Sequence, residues 1–189
     1  MRYLAALVAM AAGLAFASFG TGAMAATECN GPPLSGTITG GIVVNNGDFC
    51  FLAGATVYGG VRVNEGGILI TCGSTIAGGI VANGAANLLI GAGADEEVPP
   101  VNFVCPGNII RGDVNISNTG PGVLAPAPSI SLERDIVEGG VHLSNNAGPI
   151  MISSNVIHGG LFCRNNASDP GDEDTPSVIT GKVTCNFQE

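Results

Sequence analysis

No tryptophan occurs in this 189-residue chain, tyrosine occurs twice, and only six residues are Lys or Arg. Each scarcity excludes something. With so few bulky aromatics the interior has to be filled by aliphatic and small side chains, and thirty glycines accompany them. Basic residues are too few and too scattered for nucleic acid, because neutralising phosphates needs several Lys or Arg on one face. Charged residues make up 11% of the chain, too little for a disordered, self-repelling polymer. GxSxG, HExxH, P-loop and CxxC patterns are all missing. Without them no motif argues for a serine hydrolase, a zinc protease, a nucleotide site or a thiolate metal site.

Long apolar runs are also missing after the N-terminus, so no later segment reaches the roughly 20 residues a membrane span requires. The first segment is different. Met1-Arg2, an apolar run from Leu4 to Phe19, and Ala23-Met24-Ala25 ahead of Ala26 form the pattern of a secretory signal peptide with a small-x-small cleavage site. Cleavage after residue 25 removes one of six basic residues and none of fifteen acidic ones, leaving a mature chain of net charge −10. Residues 26–189 have the length of one domain.

What the chain does contain is a repeat. Thr56-Val57-Tyr58-Gly59-Gly60-Val61-Arg62-Val63-Asn64 recurs with first glycines at 40, 59, 78, 112, 139, 159 and 181. A period near twenty residues is the mark of a solenoid, whose coils bury their apolar sides only by stacking. Relative to the first glycine, position −2 holds Ile38, Val57, Ile76, Ile110, Val137, Ile157 and Ile179. Position +2 holds Ile42, Val61, Ile80, Val114, Val141, Leu161 and Val183, and +4 holds Val44, Val63, Ala82, Ile116, Leu143, Cys163 and Cys185. Alternation with period two and β-branched enrichment specify strands. The expected fold is therefore all-β: a parallel β-helix of about six to seven short coils, stacked about 4.8 Å apart.

Position +5 is Asn45, Asn64, Asn83, Ser117, Ser144, Arg164 and Asn186. Asn and Gly accept the left-handed backbone of a tight corner, so these residues read as corners, with Asn side chains able to bond from coil to coil. Six cysteines in an exported chain suggest disulfides, and the frame pairs them. Cys163 and Cys185 share +4; Cys72 and Cys105 lie six and seven residues before their next first glycines; Cys29 and Cys50 remain as an N-terminal clip.

Three steps exceed one coil and carry insertions: Gly91 to Val104 with Asp95, Glu96 and Glu97, Asn118 to Pro128, and Asn166 to Pro176 with Asp169, Asp172, Glu173 and Asp174. Dense carboxylates suit Ca²⁺ outside the cell. Beside Pro and Gly, however, they read first as solvated loops, and no metal or cofactor is expected. His142 and His158 fall in different columns, which makes them poor partners for acid/base work, and no catalytic residue is assigned. Thr37, Thr56 and Thr75 form an outward ladder at −3, but only Thr37-Ile38-Thr39 has the Thr-x-Thr an ice face needs. The column continues as Ile109, Ile136, Val156 and Val178. Ile109, Ile136 and Val156 form an outward apolar patch that an insertion or a partner must cover. With the acidic loop of Asp169, Asp172, Glu173 and Asp174 they are the expected partner surface, the two later insertions projecting from one edge.

The repeat of Thr56 to Val63, Cys29 ahead of Gly36-Thr37-Ile38-Thr39-Gly40, and the endings Gly159-Gly160-Leu161-Phe162-Cys163 and Gly181-Lys182-Val183-Thr184-Cys185 resemble a group of small exported bacterial proteins. The resemblance covers nearly all of residues 29–185 and implies a right-handed β-helix without transferable catalytic residues. The coils are also similar to those of bactofilins, which polymerise, though a signal peptide, disulfides and inserted loops depart from that family. The reading is a non-enzymatic exported protein, secreted, periplasmic or at the cell surface, acting as a structural or binding module. Its partners would be an envelope component, a glycan, a protein or further copies of itself. The alternative is a carbohydrate-active β-helix enzyme, which would need carboxylates and bases clustered on one outer sheet.

Overall fold

A computed structural model describes residues 25–91, 105–124, 127–171 and 175–185. All its regular structure is β, and every strand pairs in parallel. The chain is a parallel β-helix. Sheet A has seven strands, from Thr27–Glu28 and Ile42–Val44 through Val61–Val63, Ile80–Asn83, Val114–Ser117 and Val141–Ser144 to Leu161–Arg164. Sheet B has eleven and is bent, because the long strand Phe49–Val57 serves two sides of the coil. Its first half stacks residues 49–53, Ile68–Cys72, Asn87–Ile90, Ile130–Glu133 and Ile150–Ser153. Its second half stacks 37–38, 56–57, Thr75–Ile76, Ile109–Ile110, Ile136–Val137, Val156–Ile157 and Val178–Ile179.

The register is that of the glycine frame. Ile42, Val61, Ile80, Val114, Val141 and Leu161 are direct neighbours down sheet A, as are Ile38, Val57, Ile76, Ile110, Val137, Ile157 and Ile179 down sheet B. These columns fill one core with Cys50, Leu69, Leu88, Ile130 and Ile150 from the remaining side. The columns open at both ends, where Ile38 and Ile179 are partly buried and Val183 is exposed. From Gly59 onward the first glycine of each repeat is fixed by sterics. A Cβ on Gly59 would stand 2.6 Å from the nitrogen of Gly41, and one on Gly159 would stand 2.6 Å from the carbonyl carbon of Gly139. Successive corners therefore touch backbone to backbone. At the next corner the left-handed residue is Gly47, Gly66 or Gly84 in the early coils and Asn118, Asn145 or Asn165 in the later ones, the two residue types for which that conformation costs least.

Strict alternation fails in the first half of sheet B. Phe51, Ile70 and Leu89 point away from the core yet are buried, in a second apolar cluster with Cys72, Cys105, Leu124 and Ala127. The cover comes in part from the segment after Asn118. It turns back instead of projecting: the nitrogens of Val123 and Leu124 donate to Asn87 Oδ1 (2.6 and 3.0 Å), and Asn87 Nδ2 donates to the carbonyl of Pro128 (3.0 Å). The segment after Asn166 also returns to the sheet. Gly171 bridges to Met151, exchanging bonds with Ile150 and Ile152, and Ser154 donates to the carbonyl of Thr175. Projection of these two insertions from one edge is thus corrected: apolar burial and unpaired sheet-edge groups draw both back onto sheet B. Asp95, Glu96 and Glu97 of the first insertion, and residues 1–24 of the expected signal peptide 1–25, lie outside the described residues.

Three disulfides join Cys29 to Cys50, Cys72 to Cys105 and Cys163 to Cys185. The first has both sulfurs in the core; the second lies on the outer cluster; the third closes the C-terminal coil. Such bonds place the chain in an oxidising environment, extracellular or periplasmic. No helix among the described residues is long and apolar enough to cross a membrane. Non-reducing peptide mapping is expected to return these three pairs. Replacing Cys163 and Cys185 together by Ser is expected to cost about 3 kcal/mol in urea unfolding, the scale for a loop of this length.

Candidate functional site

Sheet A offers an open outer face. Its outward columns at +3 and +5 run Val43, Arg62, Val81, Asn115, His142, Phe162 and Asn45, Asn64, Asn83, Ser117, Ser144, Arg164. Beside them the +1 column is mostly glycine, and the glycines have a use. A Cβ on Gly140 would lie 3.1 Å from His142 Nε2, and one on Gly160 2.5 Å from Phe162 Cζ. Both rings therefore lie back over bare backbone. They stack on each other with centroids 4.8 Å apart and planes within 10°, a contact of about 1 kcal/mol beyond its buried area.

Arg164 completes a shallow concavity of ≈ 260 Å³ with His142, Ser144 and Phe162. At the opposite end of the face a second one of ≈ 220 Å³ lies over Gly41 and Gly60, between Val43, Val81 and Arg62. The distribution of cations is uneven. Arg111 pairs with Glu138 at 4.0 Å on the second half of sheet B, a pair exposed enough to contribute under about 1 kcal/mol. Arg62, Arg164 and Lys182, all on or beside the outer face of sheet A, form no ion pair among the described residues. The acids of this face are Glu28 on the edge strand and Asp113, whose Oδ1 accepts from the nitrogen of Gly140 (2.8 Å).

The expected partner surface divides. Ile109, Ile136 and Val156 do form a contiguous outward ladder, and Ile109 and Ile136 are about 40% exposed. Asp169 is half-buried and follows the Asn corner after Leu161–Arg164. A whole strand of the coil stands between that corner and the ladder on either side, so the structure does not bring Asp169 to it. Asp172, Glu173 and Asp174 lie outside the described residues. Among the described residues no three His, Cys, Asp or Glu side chains converge in a metal-binding group.

Two buried polar columns escape the alternation argument. At −4, Ser74, Asn108, Asp135, Asn155 and Ser177 run along one corner, all but Ser177 fully buried. Each accepts from the main chain of the preceding coil: Ala55 N to Ser74 Oγ (3.1 Å), Ser74 N to Asn108 Oδ1 (2.9 Å), Asn108 N to Asp135 Oδ1 (2.7 Å), Asp135 N to Asn155 Oδ1 (2.9 Å), Asn155 N to Ser177 Oγ (3.1 Å). Thr119, Asn146 and Asn166 make a similar column at the Asn corner. Asn166 Nδ2 donates to the carbonyl of Leu143 (3.2 Å). Within the first column Asp135 is the one ionisable member. Burial, the largest cause, pushes its carboxyl up from 3.8 to about 7, with Glu133 adding to the rise and the bonds from Asn108 opposing it.

The only signal in the sequence for the −4 column is the succession Ser, Asn, Asp, Asn, Ser at one frame position. The His142–Phe162 stack is legible as two +3 residues of neighbouring coils. Comparison with protein-family models, with curated proteins and with solved structures finds no match to this chain.

Proposed function

We propose that this chain is a non-enzymatic bacterial exported protein that acts as a binding or structural module at the cell envelope or outside the cell. One observation carries the reading: the open face of sheet A, where His142, Phe162 and Arg164 come together on the last two strands of the sheet, paired in register. A rigid platform loses little entropy on binding, so modest contacts suffice for recognition. Export rests on the N-terminal signal pattern and on the three disulfides, and kinship with the small exported β-helix proteins rests on the repeat motifs. The unpaired Arg62, Arg164 and Lys182 favour a partner, glycan or protein, that presents anionic groups.

Pull-down of envelope components with the mature, oxidised chain tests this. The wild type is expected to retain a partner, and Phe162→Ala with Arg164→Ala to lose at least about tenfold in retention, as for the loss of one aromatic and one charged contact, while still melting cooperatively and only a few degrees lower, the cost of the lost His142–Phe162 stack. Equal retention by the double variant, or none by the wild type, refutes the assignment.

A further inference from the structure

Asp135 occupies a place that its neighbours fill with uncharged side chains. Oδ1 accepts both the nitrogen and Nδ2 of Asn108 (2.7 and 2.8 Å), while Oδ2 is buried without any hydrogen-bond partner. One coil further on, Asn155 uses its second polar atom to donate from Nδ2 to the carbonyl of Leu132 (2.8 Å). The carboxyl at 135 thus lies in a slot shaped for a carboxamide. On its Oδ1 side the packing is close, since a Cβ on Gly91 would collide with Oδ1 and with the carbonyl of Glu133. A neutral hydroxyl left unpartnered here costs far less than an unpartnered charge.

We propose that Asp135 is a pH-sensitive lock in the stack: as the carboxylic acid it stands in for asparagine and keeps the coils of Asn108, Asp135 and Asn155 tightly joined, and as the carboxylate it loosens them. Among the described residues, burial and the neighbouring Glu133 charge raise the carboxyl, and only hydrogen bonds oppose them. Glu133, buried and bonded to Ser131 Oγ, is a like charge at the end of the preceding strand. Arg134, next in the chain, points outward and is exposed. The strands packed against the slot, Asn87–Ile90, Ile109–Ile110, Ile136–Val137, Ile150–Ser153 and Val156–Ile157, carry no ionisable side chain.

The carboxyl's rise to about 7 in the folded chain fixes the direction. A folded-state value above the unfolded one means that the folded chain holds the proton more firmly. The stabilisation is complete below about 3.8, declines as pH rises, and is gone above about 7. Between those limits the folding equilibrium falls by roughly a thousandfold, tenfold for each pH unit. Asp135→Asn keeps the shape and removes the titration.

Urea unfolding of the mature, disulfide-bonded chain is to be followed from about pH 4 to about pH 8, the window in which this linkage acts. The wild-type midpoint is expected to fall across that range relative to Asp135→Asn, whose advantage grows with pH. Repulsion among the other acids acts on both proteins and drops out of the comparison. Glu133→Gln is expected to keep most of the wild-type slope. Parallel wild-type and Asp135→Asn profiles, or a slope abolished by Glu133→Gln alone, overturns the proposal. Should Asp135→Asn fail to fold, Asp135→Ser takes its place in the comparison, serine being the residue at Ser74 and Ser177. In the wild type, the side-chain carboxyl carbon of Asp135 is expected to titrate near neutrality in ¹³C spectra, and titration in the ordinary carboxylate range also overturns the proposal.

Discussion

Val61→Asp is expected to abolish cooperative folding of the mature chain, while Arg62→Asp, one residue along, is expected to leave it folded. Val61 is 2% exposed and stands in register between Ile42 and Ile80, with the core on its far side. A carboxylate there meets only aliphatic neighbours. Leaving an uncompensated charge buried costs about 3–5 kcal/mol in proteins, a large fraction of the roughly 5–15 kcal/mol that holds a domain folded. Arg62 points the other way and is exposed, so its replacement removes a surface cation and little else. Thermal melting followed by circular dichroism decides the pair. Wild-type melting of Val61→Asp, or unfolding of Arg62→Asp, would show that the inward and outward columns of sheet A have been exchanged.

That prediction needs nothing beyond the sequence, because on sheet A and the second half of sheet B the alternation of side chains is the fold. Ile42, Val61 and Ile80 name the core, and the glycine frame names their partners. The first half of sheet B is harder to read. Leu69-Ile70 and Leu88-Leu89-Ile90 are consecutive apolar pairs and triplets, the sign of a strand buried on both faces. What covers them depends on where Leu124 and Ala127 come to rest, and no periodicity encodes that. Hence the insertions, read from composition, look like projecting loops, when part of their length packs back on the sheet.

The corners are harder still. Asn145 and Asn146 are identical neighbours with opposite roles: Asn145 takes the left-handed conformation and faces solvent, whereas Asn146 is buried and accepts from Thr119 N while donating to Asn166 Oδ1. Residue type gives the corner but not the direction of the side chain, which follows from a single φ angle. The same ambiguity conceals the −4 column, and with it Asp135, the one buried acid of that column.

Asn155 is where that concealed layer matters most for stability. Its Oδ1 accepts the nitrogen of Asp135 (2.9 Å), its Nδ2 donates to the carbonyl of Leu132 (2.8 Å) and to Ser177 Oγ (3.2 Å), and it is 1% exposed. Asn155→Leu keeps the number of side-chain heavy atoms and raises apolarity, so burial of surface alone predicts a small gain. Hydrogen bonding predicts the reverse, because Asp135 N and the carbonyl of Leu132 would both lose a partner where water does not reach. Each stranded main-chain group costs about 1–3 kcal/mol, against roughly 1 kcal/mol gained from the added apolar area. Satisfaction therefore outweighs burial, and urea unfolding is expected to show a net loss of about 2–4 kcal/mol. Leucine at the half-buried neighbour Ser154 bears on none of these bonds, although its own left-handed backbone (φ 58°) adds a strain of about 1–2 kcal/mol. An Asn155→Leu variant as stable as the wild type would mean that the column is held by its backbone alone and that the side chains merely line it.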